Sequence, residues 1–502
     1  APLPIPRTQN PSSKKWVTYP PSGNTSKNRD NKKQITMFKI NIPILLTVFC
    51  TFPSYGMKVF DMKEIRDPST LQIKVLQDWH PVNGVIETRQ KLVTINMGDL
   101  WPGQEYRIPV RMVVPANRKA KGFHLTGGSS PSRLEKDTRP NPNERELLEG
   151  GVGLVITVVQ EPGTYGQRAL SQAAEKRFAE TLNPRFKIQY WAWPATLMRA
   201  ITTAYSEKEH FEKGKVAAFG GSKNGASPSM AIIHDDRMTA VHATVSPIWD
   251  SPLRLNDDEA WKELRAQPGR RGGFTGGHFG PNFNQRVLDS GGTWKDLQNF
   301  TREISDQVFI SRNLKALRKR GVDMLFHPGT HDFVAFDMAW GGKHHPTIPI
   351  YLGANTGHGK RGHPKTEKDQ ENKAAFMLKH FFPDETKGHL LAPPQVKSEL
   401  KGKTLKVRVS FAPDSAEESG RIWWIFDRAP DGSPNYISEM IPDNQTMEMK
   451  RQGSQWTVTI NLDPKAKRID FFSNHRKTLR YKESPYRTYI SSPYTRVILA
   501  KQ

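Results

Sequence analysis

The stretch Lys215-Val-Ala-Ala-Phe-Gly-Gly-Ser-Lys-Asn-Gly-Ala-Ser-Pro-Ser-Met-Ala-Ile-Ile233 places an apolar run directly before a glycine-flanked serine and a helix-compatible run directly after it. An uninterrupted apolar run bounded by glycines fits a strand covered on both faces. Gly220-Gly221-Ser222-Lys223-Asn224-Gly225 then reads as a sharp turn whose small residues let strand and helix approach while the Ser222 hydroxyl stands clear. That is the layout of a nucleophile elbow, and it makes Ser222 the candidate nucleophile. The usual pattern has glycine two residues after the serine, whereas here Asn224 holds that place and Gly225 follows. A purely structural glycine turn, or one that cradles a phosphate at a helix N-terminus, fits the same residues.

Outward from this turn, apolar runs alternate with helical stretches, which predicts a parallel sheet with crossover helices. The predicted buried strands are 122–126, 153–159, 215–219, 240–245, 322–326 and 348–352. Helices are predicted over 193–204, with Pro194 in the first turn, and over 371–380. The gap between Pro247 and Val322 is too long for a simple crossover and predicts an inserted cap, about 248–321. Within it, the glycine-rich run 269–280 reads as a loop, either over the site or on the surface; one RGG-like copy is weak evidence for nucleic acid. Residues 57–115 alternate apolar and polar side chains, as antiparallel strands do, and Pro109 predicts an edge position for the second of them. After Pro393-Pro394, residues 395–502 alternate again between turn residues, which predicts an all-β, sandwich-like domain. The main domain is then 57–394.

A serine nucleophile needs a base and an acid that orients it, and in this layout they follow as Ser, Asp or Glu, then His. Strand 322–326 runs into His327-Pro-Gly-Thr-His-Asp332, and strand 348–352 runs into Gly353-Ala-Asn-Thr-Gly-His358. Loops after consecutive parallel strands meet above one sheet edge, so Asp332 and His358 are the candidate acid and base. Asp250 and Asp337 compete as acids; His331 and the His344-His345 pair compete as bases. The candidate oxyanion donors are the Lys223 N–H and the turn Gly127-Gly128-Ser129-Ser130. The Lys223 side chain either adds positive charge beside the site or points to solvent. His344-His345 and His358…His363 lack the i, i+4 spacing of a helical zinc motif, so no metal and no cofactor is expected.

Gly220–Gly225 followed by His234-Asp-Asp-Arg-Met-Thr-Ala-Val241 resembles the elbow region of the PhoPQ-activated pathogenicity-related proteins. Gly329-Thr-His-Asp332 with Phe333 to Trp340, and Ala354-Asn-Thr-Gly-His358, resemble that family's acid and histidine segments; Glu161-Pro-Gly-Thr-Tyr165 matches loosely. The resemblance spans roughly residues 70–390. It implies an α/β-hydrolase fold carrying the Ser222, Asp332 and His358 triad, and it names no substrate. The Ser-Lys-Asn-Gly elbow is also similar to the Ser-Arg-Asn-Gly elbow of glucuronoyl esterases, which cleave sugar-acid esters. The fold class expected is thus α/β: an α/β-hydrolase fold with an inserted cap and a C-terminal all-β domain.

Residues 1–36 are poor in apolar side chains and are expected to be a disordered extension, an over-long reading of the gene. Met37, Lys39, the apolar Ile40–Phe52 and small Ser54 and Gly56 read as a secretory signal over 37–56, cleaved after Gly56. That run is short of the ~20 residues a spanning helix needs, so no stable membrane span is expected. The only cysteine, Cys50, lies within it, which excludes disulfides, a cysteine nucleophile and cysteine-based metal sites from the mature chain. Bulky Phe49 disfavours lipid anchoring.

Net charge is +24, and +17 from residue 57 onward, because residues 1–56 hold eight Lys/Arg and one Asp. Such a field attracts polyanions, although the basic residues are scattered and read equally as a solvated surface with no specific nucleic-acid partner. The leading expectation is a secreted or periplasmic serine hydrolase acting on a small-molecule, carbohydrate-linked or acidic carboxylic ester. A serine peptidase and a non-catalytic polyanion- or polysaccharide-binding protein are the alternatives.

Overall fold

The apolar runs assemble into one eight-stranded sheet in the computed structural model, which describes residues 57–159, 168–266, 281–358, 360–366 and 369–499. Its strands are β1 (Lys74–Val82), β2 (Thr88–Asp99), β3 (Glu105–Pro115), β4 (Ala120–Thr126), β5 (Gly153–Thr157), β6 (Phe211–Gly221), β7 (Ala240–Thr244) and β8 (Asp323–His327). Spatial order is β1-β2-β3-β5-β4-β6-β7-β8, antiparallel as far as the β3–β5 pair and parallel beyond it.

Successive side chains of a strand point to opposite faces, so the uninterrupted apolar runs feed two cores. Val155, Val216 and Ala218 join one core, Leu154, Ile156, Ala217 and Phe219 the other. The covering helices are α1 (Pro142–Glu149), α2 (Ala192–Ser206), α3 (Lys223–His234), α4 (Ile310–Lys319) and α5 (Asp369–Phe381). α2, α3 and α4 cover the first face; α1 and α5 cover the second. This is the α/β-hydrolase arrangement, with the serine turn between β6 and α3.

Three sequence expectations are corrected. Pro109 lies in an internal strand, not at an edge: β3 sits between β2 and β5. The β5 ladder covers only Val110–Val113, so no bond to β5 needs the N–H that Pro109 lacks, and its carbonyl accepts from Thr157 Oγ1 at 2.7 Å. The segment 348–352 is no full strand. It touches β8 through one parallel bridge, Phe326 to Ile350, and its other side is taken by Ser491 N–H bonded to the Ile350 carbonyl at 2.8 Å. Finally, the insertion between β7 and β8 is not cap throughout. Ser305–Val308 and α4 pack on α3 as the crossover, which leaves the helices Asp258–Ala266, Pro281–Asp289 and Trp294–Glu303 as additions.

The C-terminal region folds as two antiparallel sheets. One holds β9 (Gln395–Lys401), β10 (Thr404–Ser410) and β12 (Gln455–Asn461); the other is built on β11 (Ser419–Phe426) and the long β13 (Arg468–Tyr481), with β14 (Ser484–Ser491) and β15 (Thr495–Ile498) paired to β13. Leu405, Val407, Val409, Val458 and Ile460 of one sheet meet Ile422, Trp424, Ile469 and Phe471 of the other. The described residues nevertheless form one compact unit. Trp423, Phe472 and Tyr494 belong to the first hydrolase core, and Tyr481 and Tyr489 to the second.

The extension and signal expected over 1–56, Glu161–Tyr165 and the glycine-rich run 269–280 lie outside the described residues. Among the described residues no helix is long and apolar enough to cross a membrane.

Candidate active site

β6 delivers Ser222 at φ 57°, ψ −123°, a conformation L-residues rarely adopt, immediately before α3. The surrounding packing imposes it. The Ser222 N–H bonds to the Thr244 carbonyl of β7 at 2.9 Å. A Cβ on Gly220 would lie 2.1 Å from the Asn224 carbonyl oxygen, and one on Gly225 would lie 2.7 Å from the Thr244 carbonyl oxygen. This explains the shifted pattern. The close approach that glycine normally supplies two residues after the serine is made here by Gly225, one later, and the Asn224 side chain lies beside Gly128.

The loops after β8 and after segment 348–352 bring the other two residues to the serine. Ser222 Oγ is 2.6 Å from His358 Nε2, and His358 Nδ1 is 2.5 Å from Asp332 Oδ2. Asp332 Oδ2 also accepts the His358 backbone N–H at 2.6 Å, and Oδ1 accepts the Val334 N–H at 2.9 Å. A carboxylate held by several donors cannot rotate away, so it fixes both the ring and its tautomer: Nδ1 carries the proton and Nε2 presents its lone pair to Ser222. Asp332 is 1% exposed, whereas the His358 side chain is about one third exposed. Phe333 stacks on that ring with centroids 4.6 Å apart. His358 stands at the tip of a two-residue hairpin, Thr356–Gly357 against Lys360–Arg361.

The competing acids and bases are committed elsewhere. Asp250 binds Arg312 at 2.5 Å, Ser311 at 2.6 Å and His345 at 3.1 Å. Burial works to raise this carboxyl, but the His345 and Ser311 bonds and the Arg312 charge bring it down to about 2. Asp337 is buried against Arg254 at 2.9 Å and accepts from Ser251 at 2.7 Å. His331 Nε2 donates to the Glu439 carbonyl at 2.6 Å, and its Nδ1 meets Thr330 Oγ1 at 2.8 Å. His344 stacks on Trp340. Among the described residues no group of three His, Cys, Asp or Glu side chains is placed to hold a metal ion.

The oxyanion side is built less completely. The first N–H groups of a helix have no intrahelical acceptor, and Lys223 stands at the first position of α3, directly after Ser222. The Lys223 side chain is exposed. In the turn after β4, Gly128 N–H reaches Thr126 Oγ1 at 3.3 Å and Ser129 N–H reaches the Thr157 carbonyl at 3.4 Å, both long bonds. The Gly127 carbonyl accepts from Val159, and its Cα packs on that side chain. The structure thus sets the turn beside the elbow, through Gly128 and Asn224, without freeing both its N–H groups.

Two neighbours of the triad gain their place only from the structure. Phe333, directly after the acid, has an aromatic neighbour relation readable only once His358 is placed. Asn224 departs from the usual elbow pattern, and its buried Oδ1 has no hydrogen-bond partner among the described residues.

No family model and no curated protein matches the chain. Among solved structures it is similar to acetyl xylan esterase 1 from a Thermoanaerobacterium species, at 12% identity and a TM-score of 0.35 over 62% of this chain and 88% of that one. It is also similar to a glucuronoyl esterase from Teredinibacter turnerae, at 12% identity and a TM-score of 0.33 over 55% and 66%, and to a puromycin hydrolase, at 14% and 0.35 over 61% and 47%. TM-scores of this size carry neither fold nor function; the fold stands on the strand order and the site on its distances. The likeness to the PhoPQ-activated proteins stays one of motifs.

Proposed function

We propose that the protein is a serine hydrolase that cleaves a carboxylic ester through an acyl-enzyme. The observation that carries this reading is the continuous chain from Ser222 Oγ through His358 to Asp332, at 2.6 and 2.5 Å, on a strained strand-to-helix turn. Ser222 Oγ attacks the ester carbonyl carbon while His358 Nε2 takes its proton. The developing oxyanion is met by the Lys223 N–H, and Asp332 stabilises the imidazolium without itself taking a proton. Collapse breaks the ester C–O bond, and His358 returns the proton to the leaving alcohol. Water then repeats the sequence on the acyl-enzyme and releases the acid.

An acidic or carbohydrate-linked substrate is supported by the basic balance and by a groove of about 760 Å³ that begins at Gly128 and Ser129. Arg133, Lys136 and Arg139 line it and make no ion pair among the described residues, while of its two carboxylates Asp137 is engaged by His80 and Arg111 and Glu144 accepts the Asn141 N–H. The same charge supports contact with polyanions, and the 37–56 segment supports a secreted or periplasmic location.

The test is labelling with a fluorophosphonate, followed by turnover of a panel of acetyl, sugar-acid and peptide substrates. Ser222→Ala is expected to abolish labelling and to lower kcat by roughly 10⁴-fold or more. Labelling that survives this substitution refutes the assignment, and turnover of peptides in place of esters moves the protein to the peptidases.

A further inference from the structure

We propose that the segment 428–441 of the C-terminal β region is a latch that sets the geometry of the Asp332–His358 pair, with Arg428 and Asn355 as positioning residues; the proposal rests on the triad reading above. The acid loop and the histidine loop leave the hydrolase sheet at separate points, and both are docked onto this one segment. The fully buried Arg428 guanidinium bonds through Nη2 to the Thr330 carbonyl, two residues before Asp332, and to the Tyr436 carbonyl at 2.9 Å. It also stacks on the Tyr436 ring at 3.5 Å and bonds through Nη1 to Tyr494 Oη at 2.9 Å. The next residue of the acid loop, His331, donates to the Glu439 carbonyl at 2.6 Å. On the histidine loop, Asn355 is clamped from both ends of its amide. Its Nδ2 donates to the Ile441 carbonyl at 3.0 Å, and its Oδ1 accepts the Ile441 N–H at 2.8 Å. The segment is closed on itself by the Ala429 N–H bonded to Glu439 Oε2 at 2.6 Å.

Nothing in the hydrolase sheet alone requires this. A buried guanidinium is costly unless it is hydrogen-bonded; Arg428 directs Nη2 to two main-chain carbonyls, one of them in the acid loop, and Nη1 to the Tyr494 hydroxyl, while its Nε has no partner among the described residues. The two loops also bond to each other, His331 N–H to the Thr356 carbonyl at 2.8 Å, so a shift of either is felt by both. A base and its orienting carboxylate must be held to within about 0.5 Å of productive geometry, and an error near 1 Å costs about 100-fold in rate. The latch supplies that constraint from a part of the chain about 100 residues downstream of Asp332.

The experiment compares Arg428→Met and Asn355→Gly with wild type and with Asn474→Ala. Asn355 has φ 59°, in the left-handed region that glycine adopts freely, so Asn355→Gly removes the clamp without straining the loop. Asn474 bonds the Leu352 carbonyl at 3.1 Å in the same junction, one residue ahead of the histidine loop and with no bond to Asn355, His358 or the acid loop, and it reports the stability of that junction. The readouts are kcat and KM on p-nitrophenyl acetate, the fluorophosphonate labelling rate, and the low-field proton resonance of the His358 Nδ1–H, assigned by its absence from His358→Ala.

Both latch variants are expected to lower kcat and labelling about 10- to 100-fold with KM within about threefold, and to broaden or erase the resonance. Asn474→Ala is expected to lower the melting temperature and leave all three unchanged. If Arg428→Met does not fold, Asn355→Gly decides. Folded latch variants that keep both the wild-type kcat and the resonance overturn the proposal. Wild type that takes no label at Ser222 overturns the triad reading, and the resonance still reads the Asp332–His358 bond in that case.

Discussion

Ser222 carries its reactivity and its strain in the same backbone. A non-glycine residue held at φ 57°, ψ −123° costs on the order of 1–3 kcal/mol, which the bonds to Thr244 and the close packing of Gly220 and Gly225 must offset. Ser222→Gly is therefore expected to abolish turnover while raising stability over Ser222→Ala by about 1 kcal/mol, read by urea denaturation of the two inactive variants. A glycine variant no more stable than the alanine variant would show that the turn is relaxed. At this scale the sequence was legible wherever a residue's chemistry is carried by its side chain. Ser222, Asp332 and His358 stand out by type, order and spacing. Asn224 looked like a defect because the close contact it leaves to Gly225 depends on where Thr244 lies, which no local pattern states.

At the scale of elements, the buried strands were readable because a parallel strand covered on both faces must be apolar throughout. The Ile348–Leu352 run shows the limit of that rule. It is buried as a strand would be, but its far side is satisfied by Ser491 and Asn474 side chains and one backbone bond in place of a ladder. Pro109 was misjudged for a related reason: the cost of a missing N–H depends on where the neighbouring ladder ends.

The join between β7 and α4 offers a test. Asp250, after β7, ties the start of α4 through Ser311 and Arg312 and reaches His345. Its folded-state pKa is depressed to about 2, below the usual carboxylate value of 3.8. The stabilisation is thus fully present above about pH 4 and is lost as pH falls through 2, and at roughly 1.4 kcal/mol per unit it amounts to about 2 kcal/mol. Asp250→Asn is expected to lose about that much at pH 7, with the gap to wild type closing between pH 4 and pH 2. A gap independent of pH would mean that packing, not charge, holds this join.

At the scale of the whole molecule, the composition change at Pro393-Pro394 marks a change of strand type within one compact unit. β13 is 14 residues long, and its side chains serve three cores. Ile469 and Phe471 fill the core between the two C-terminal sheets, while Phe472 and Tyr481 belong to the cores that cover the two faces of the hydrolase sheet. Tyr481 stacks on Phe382, next to the end of α5, with ring centroids 5.3 Å apart, and Tyr489 shares its hydrophobic cluster with Phe376 and Leu325. The short strand Thr386–Lys387 pairs with β13 before the C-terminal region has begun. Asn372 of α5, fully buried, accepts from the Tyr489 N–H at 3.0 Å and donates to its carbonyl at 3.0 Å.

Removing residues 395–502 would uncover several aromatic contacts and orphan buried polar groups at once, each worth about 1–3 kcal/mol, against a total stability of about 5–15 kcal/mol. The fragment 57–394 is therefore expected to be insoluble or molten, lacking a near-ultraviolet circular dichroism signal, and the intact chain to unfold calorimetrically in one transition. Two separated transitions, or a truncated chain with native near-ultraviolet signal and labelling at Ser222, would make the β region an independent domain and leave the site complete without it.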